Sequence, residues 1–200
     1  MALSHDTTCA LRTAVALVNS SDSTSDSTAG EDRLDDPPAL RRFLEQHDFS
    51  AIGRLAAADV TAVQALRHRV RSVFSTRDVR EAVKLVNALV AKASALPQLV
   101  DHDGEPWHLH YTPPGAALVD RLAAESGMAL AIVIRDEGLE RLRICEAPGC
   151  PNALVDLSRN RSRRYCDTQG CGNRVHVAAY RARRRAGQSP NRPAREEVRP

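Results

Sequence analysis

Four cysteines in the last third of the chain are the residues best suited by type and spacing to do chemistry. They are Cys145, Cys150, Cys166 and Cys171, in the pattern C-x4-C-x15-C-x4-C. Each close pair can come from one tight turn, and the segment between the pairs can return the second turn to the first. Thiolates are soft ligands that favour zinc over hard cations. The pattern therefore predicts one zinc site, with free or disulfide-bonded thiols as the alternative.

A shell of four thiolates leaves zinc no open position for a water or a substrate, so the predicted metal is structural. The sequence contains no G-x-S-x-G, P-loop, G-x-G-x-x-G or H-E-x-x-H motif. Serine, histidine and acidic residues are present, but no spacing assembles them into a catalytic set. We therefore expect no enzymatic activity, although the N-terminal part leaves that question open.

The residues around the cysteines predict a strand at 153–157 and a returning strand at 163–165. Gly172 permits a sharp turn, and Asn173 is a candidate N-cap for a helix over 174–185. A knuckle, a hairpin and a helix beside the last ligand form a treble-clef-like finger. Few large apolar residues are available here, so the metal must supply much of the stability.

Arginine is concentrated around the finger. Residues 141–185 contain eleven arginines and three acids, a net charge of +8 (11 − 3). Guanidinium groups bind phosphates and guanine edges. The candidate nucleic-acid contacts are Arg159, Arg161, Arg163, Arg164, Arg181, Arg183, Arg184 and Arg185.

Zinc with four thiolates has a formal charge of −2, so some arginines can neutralise the metal centre instead. Arg174, beside Cys171, is the candidate for that role. The remaining excess favours nucleic acid.

The run SRNRSRRYC, followed by CGNR at 171–174 and then YRARRR, resembles the CGNR zinc finger. Two departures are Tyr165, where that family is expected to have Trp, and His176, where it is expected to have a basic residue. Such fingers follow a helical domain of the ABATE type, described as a stress-induced transcription regulator. The resemblance implies zinc binding through the four cysteines and suggests DNA binding. Gly172, Asn173 and Arg174 are then structural residues beside the metal.

The rest of the chain predicts a mainly α fold with small β elements (α+β). Residues 9–19 are a strand or a helix, and Asn19 is a candidate structural residue. Apolar stripes predict helices that begin after Asp36, at Asp59, and after a Ser75–Asp78 capping box, with a last helix over 116–135. We expect Arg67, Arg69 and Arg71 on or beside the solvated face of the second of these helices.

A small hairpin is predicted from residues 99–101 and 107–111, with a turn at 103–106. His108 and His110 share one face of it. They either bind a metal with a third ligand or form a solvated or hydrogen-bonded strand face, and no candidate third ligand nearby falls in a clear ligand pattern.

Charge divides the chain. Residues 1–140 have a net charge of −6 (14 basic, 20 acidic), and residues 141–200 have +9 (14 basic, 5 acidic). We expect a helical domain at 1–140 with a mobile acidic loop at 20–36, a finger at 141–186 and a disordered tail at 187–200. Only Cys9 lies outside the finger, and no apolar run reaches membrane-spanning length, which favours a reducing cytoplasm.

Two functional hypotheses follow. The first is a DNA-binding transcription regulator, in which the finger contacts DNA and the helical domain senses a ligand or partner. The second is a protein- or RNA-interaction module whose zinc finger is purely structural. The sequence leaves open a homodimer, the effector and the target sequence.

Overall fold

The computed structural model of the protein describes residues 3–21, 32–101, 107–168 and 170–187. Residues 22–31 of the predicted acidic loop at 20–36, the predicted hairpin turn at 103–106 and residues 188–200 of the predicted tail lie outside these residues. The fold is mostly helical, with two small antiparallel strand pairs, as predicted. In chain order the elements are α1 His5–Val18, α2 Pro37–Gln46, α3 Ala57–Ser75, α4 Val79–Lys92, β1 Gln98–Val100, β2 His108–His110, α5 Leu118–Asp136, a 3-10 turn Leu139–Arg141, β3 Leu142–Ile144, β4 Ala153–Val155 and α6 Cys171–Gly187.

An aspartate lies at or near the start of three of the helices. The Asp36 carboxylate accepts a first-turn backbone N–H of α2 at 2.6 Å, as predicted for an N-cap. Asp59 was predicted to be a cap, but it lies inside the first turn of α3, where it accepts the N–H of Ala56 at 2.8 Å. Asp78 is itself the N-cap of α4, so the predicted capping box with Ser75 is wrong. Sequence spacing located these helix starts to within three residues.

The core is built around α5, which packs against α1, α3 and α4. The predicted apolar stripe of α3 lies in this core, and residues 128–134 are helical, within the span of the predicted last helix. Gly127 permits the approach of α4: a Cβ there would lie 2.8 Å from Cγ2 of Val90. None of the described helices is long and apolar enough to cross a membrane.

The predicted small hairpin is present. β1 pairs with β2 in an antiparallel register that places Leu99 opposite Leu109, and both leucine side chains are exposed. His108 and His110 lie on the half-buried face, with their Nε2 atoms 3.1 Å apart. This separation is a hydrogen bond between the two rings. Among the described residues, the histidines are not part of a group arranged to hold a metal ion.

The predicted environment of Arg67 is wrong, because its side chain is buried rather than solvated. It is 4% exposed, and its guanidinium donates to both carboxylate oxygens of Asp32 and to Ser20 Oγ. The hydrogen bonds from Arg67 lower the pKa of Asp32 below its usual value. A helical periodicity assigns Arg67 to a polar face, but it cannot detect that a distant loop covers that face.

Glu125 on α5 is a partly buried carboxylate. Burial raises the pKa of Glu125 from its usual 4.5 to about 7, against the opposing charge of Arg121. Its folded-state pKa therefore exceeds its unfolded-state pKa, so the folded state loses stability as pH rises between these values.

The Glu125→Gln variant should therefore gain stability over the wild type as pH rises. We expect its advantage in the free energy of unfolding to grow by about 1 kcal/mol from about pH 6 to about pH 8. Urea unfolding of both zinc-loaded proteins at the two pH values measures the difference. Glu81→Gln, at an exposed position of α4, is the matched control and should show no such trend. A constant difference between the Glu125→Gln variant and the wild type would contradict the raised pKa.

Candidate metal centre

The four cysteines are delivered by three local structures. Cys145 and Cys150 lie in the connection between β3 and β4, which pair in an antiparallel register of Leu142 with Val155. The prediction that residues 163–165 form the partner strand is wrong, because the partner of β4 is β3, which lies directly before the first knuckle. Residues 163–165 form no strand. Cys166 follows this extended segment, and Cys171 is the first residue of α6.

The start of α6 differs from the prediction. The helix begins at Cys171 itself, so Asn173 lies within the first turn and is not the N-cap. Gly170 supplies the reversal before the helix, with a φ of 57°, which glycine adopts without strain. Gly172 does not make the sharp turn that the sequence predicted. A Cβ at Gly172 would lie 3.5 Å from the ring of Tyr165, so this position packs against the aromatic side chain.

The thiols have the spacing of a zinc site. The four Sγ atoms lie within 4.8 Å of one another. The Cys150–Cys166 and Cys166–Cys171 Sγ separations are 3.7 and 3.6 Å. A tetrahedral zinc ion with Zn–S bonds of about 2.3 Å requires Sγ separations of about 3.8 Å. All four cysteines are buried. The donor set and its dimensions therefore fit zinc, held by four thiolates with no open coordination position.

Donors around the site stabilise negative charge on the sulfurs. Arg174 donates to Cys171 Sγ at 3.3 Å, Asn152 donates to Cys166 Sγ at 3.6 Å, and the backbone N–H of Cys166 donates to Cys145 Sγ at 3.4 Å. Burial raises the pKa of the Cys150 thiol. Burial acts in the same direction on Cys166, but the hydrogen bond from Asn152 and the neighbouring thiols outweigh it and lower the pKa of Cys166. Such outer contacts orient metal ligands and tune their charge.

Asp156 is a buried residue of the finger that the sequence analysis missed. Its carboxylate accepts the backbone N–H groups of Ser158 and Arg163 at 3.0 Å each, and it also accepts the Ser158 hydroxyl. Burial acts to raise the pKa of Asp156, but these hydrogen bonds and Arg143 outweigh it, so the pKa is lowered. Asp156 thereby fixes the loop between β4 and Cys166. The D-x-S pattern, typical of an Asx turn, was the available signal.

The arginines predicted to contact nucleic acid fall into two groups. Three loop arginines already have carboxylate partners: Arg161 pairs with Glu140, Arg163 with Asp167 and Arg164 with Glu146. Arg159 is exposed, and no ion pair to it is found in the part of the chain that the structure describes. The second group lies in the last turns of α6. Its members are Arg181, Arg183, Arg184 and Arg185, all exposed.

The distal part of α6 is exposed on every face. Of the four positions predicted to face inward, Val175 and Ala179 are half-buried, whereas Ala178 and Ala182 are exposed. Only the first turns of the helix pack against the cysteine cluster and Tyr165. The remaining turns carry their arginines outward, away from other described elements.

Comparison with known proteins agrees with this architecture. Residues 11–137, well over half of the chain, match the ABATE family, a putative stress-induced transcription regulator. The chain belongs to the ABATE family. Residues 141–184 match the CGNR zinc finger, in the same order along the chain as the sequence predicted. The two matched descriptions name a putative regulator and a zinc finger, and neither names an enzymatic activity. No curated protein matches the chain.

The ABATE region and the CGNR finger are joined through buried polar contacts. The Asn19 side chain donates to the Ala153 carbonyl at 2.9 Å and accepts the Ala153 N–H at 2.7 Å. Arg71, also predicted to be solvated, instead donates to the carbonyls of Val18 and Pro151 at 2.9 and 2.8 Å. These contacts attach β4 of the finger to the end of α1. Asn19 therefore has the structural role that the sequence suggested.

Replacing Asn19 should weaken this attachment. In Asn19→Ala protein both backbone groups of Ala153 lose their partner in a buried position, and we expect a loss of about 2 kcal/mol in the free energy of unfolding. Urea unfolding of the zinc-loaded full chain measures it. Asn87→Ala, at an exposed position of α4, is the matched control and should change stability little. Equal stability of the Asn19→Ala variant and the wild type would show that the two hydrogen bonds make no net contribution to the free energy of unfolding.

Proposed function

We propose that this ABATE protein is a zinc-dependent, DNA-binding transcription regulator. The observation that carries the proposal is the group of four exposed arginines at the end of α6. None of them has a carboxylate partner among the residues that the structure describes. The helix itself contains no acidic residue from Cys171 to Gly187. An unneutralised cationic helix end that projects from a rigid base is suited to the phosphate backbone of duplex DNA.

Zinc acts in this function as a structural element. Cys171 is both a metal ligand and the first residue of α6, so the metal fixes the base of the helix and hence the direction of its arginines. The paired loop arginines Arg161, Arg163 and Arg164 must break existing ion pairs before they contact DNA, so they contribute less. Phosphate contacts carry no sequence information, and we therefore expect the finger alone to bind DNA with modest specificity.

The remaining parts of the proposal follow from this role. Residues 1–140 would act as the domain that senses a ligand or partner under stress, and 141–186 as the DNA-binding finger. One small finger buries limited surface, so tight specific binding would need a homodimer or additional contacts from the ABATE domain. Four reduced thiolates are compatible with a cytoplasmic location. We propose no catalytic activity.

The alternative is a protein- or RNA-interaction module, and one observation favours it. Val177 and Tyr180 on α6 are 38% and 55% exposed, and the Arg184 guanidinium lies 6.0 Å from the centre of the Tyr180 ring. An exposed aromatic residue among arginines is also suited to stacking on an unpaired base.

A comparison of duplex DNA and single-stranded RNA tests the two functions. Fluorescence anisotropy of labelled oligonucleotides with the zinc-loaded full chain should show tighter binding to the duplex. The log–log salt dependence should have a slope of about −3.6 if all four α6 arginines contact phosphates. Preference for the single strand, or binding that does not respond to salt, would favour the alternative.

A further inference from the structure

A cleft separates the ABATE helices from the CGNR finger. Its volume is about 710 Å³, within the roughly 300–1,000 Å³ of sites that hold small organic ligands. Helices α1 and α2 form one side, and β4 with the turn at 166–168 forms the other. Its apolar lining includes Leu11, Val15, Phe43, Val155 and Leu157.

The charged lining of the cleft is predominantly positive. Four arginines face one carboxylate, that of Asp167, which is already paired with Arg163. Arg12 and Arg42 are exposed, and neither has a carboxylate partner within the described part of the chain. The cleft thus combines an apolar surface with at least two cationic groups whose charge is not neutralised there.

We propose that this cleft binds an amphipathic carboxylate, such as a medium-chain fatty acid. The apolar body packs against Val15, Ala16 and Leu157, and the carboxylate lies against Arg12 and Arg42. Guanidinium groups hold carboxylates through paired, charge-assisted hydrogen bonds. A neutral ligand forfeits these bonds, and an inorganic anion forfeits the apolar contact.

The position of the cleft makes its ligand an effector of the finger. Cys166, a predicted zinc ligand, lines the cleft, as does Asn19, which holds β4. A ligand in contact with both parts stabilises whichever relative arrangement it fits better. This regulatory consequence rests on the proposed function, and it deepens that function by naming the class of effector.

Calorimetric titration of the zinc-loaded full chain with decanoate tests the site. We expect saturable binding of one decanoate per chain. The Arg12→Gln/Arg42→Gln variant should bind at least about tenfold more weakly, because each lost charge-assisted hydrogen bond is worth about that factor. Arg54→Gln/Arg80→Gln, which removes the same charge from exposed positions outside the cleft, is the matched control and should bind as the wild type does.

Two further arms separate the contributions of charge and apolar surface. Decanol and inorganic phosphate should each bind at least about tenfold more weakly than decanoate. Ala16→Phe, which places a ring in the cleft, should block decanoate while zinc content and circular dichroism stay unchanged. The proposal is overturned by absence of saturable binding, by equal loss in both double-arginine variants, or by decanol or phosphate binding as tightly as decanoate.

The regulatory part has its own readout. Because decanoate binding is measured without DNA, failure of the cleft and failure of DNA binding are separate results. Saturating decanoate should change the affinity for duplex DNA in the wild type and leave it unchanged in Arg12→Gln/Arg42→Gln protein. Decanoate binding with no change in duplex affinity would overturn the effector role and leave the DNA-binding function intact.

Discussion

Cys171→Ser protein should lose its zinc and unfold the finger. Cys171 closes the thiolate shell and begins α6, so its loss removes a metal ligand and releases the base of the helix. Structural zinc contributes about 10–16 kcal/mol of apparent folding free energy in small fingers. That exceeds the stability that the few apolar residues of the finger can supply. We expect less than one zinc per chain by elemental analysis and a loss of helical circular dichroism corresponding to α6.

Cys9→Ser is the matched control for this experiment. Cys9 lies on α1, contacts His5 at 3.4 Å and is not part of the metal-binding group. This variant should retain one zinc per chain and its full helical signal. Full zinc occupancy in Cys171→Ser protein would refute the ligand assignment. Arg174→Ala, which removes the donor to Cys171 Sγ, should weaken zinc retention without abolishing it.

Replacement of all four α6 arginines should nearly abolish binding to duplex DNA. Each phosphate contact releases condensed counterions, so Arg181→Gln/Arg183→Gln/Arg184→Gln/Arg185→Gln should reduce the log–log salt slope by about 3.6. At low salt we expect a loss of at least about a hundredfold in affinity. Zinc content should stay at one per chain, because these residues lie beyond the turns that pack against the cysteines. Anisotropy titrations across a salt series measure both quantities.

A variant of the paired loop arginines provides the comparison. Arg161→Gln/Arg163→Gln/Arg164→Gln should have a smaller effect on the salt slope, because these guanidinium groups already neutralise Glu140, Asp167 and Glu146. If the α6 variant binds duplex DNA as tightly as the wild type, the helix end is not the contact surface. The interaction-module alternative would then be preferred.

Local signals in the sequence predicted much of this structure. The paired cysteine spacing identified the four thiols that the fold brings together, and apolar periodicity found α2 to α5. The identity of the strand beside β4 was mispredicted, because apolar runs reveal strands but not their partners. The start of α6 was misplaced because an N-cap preference at Asn173 is weaker than the turn imposed by Gly170 and the metal ligand.

Charge counting was the least reliable guide to the site. It gave the eight candidate nucleic-acid arginines equal weight. In the folded protein, three of them are already paired with carboxylates, those of Glu140, Glu146 and Asp167. Helical periodicity placed Arg67 and Arg71 on or beside the solvated face, whereas Arg67 is buried and Arg71 donates to backbone carbonyls of distant segments. Ion pairing and burial by distant segments depend on the tertiary fold. The residue types and their spacing in one sequence do not show which distant segments come into contact.

The strand pair β3–β4 has a consequence for how the chain folds during synthesis. Leu142, Ala153 and Val155 belong to the same buried core as α1, α3 and α5. The helical part therefore leaves the ribosome before the residues that complete its core. We expect the nascent chain to expose apolar surface until Val155 has emerged, and forms truncated before Val155 to depend on chaperones because they lack part of this core.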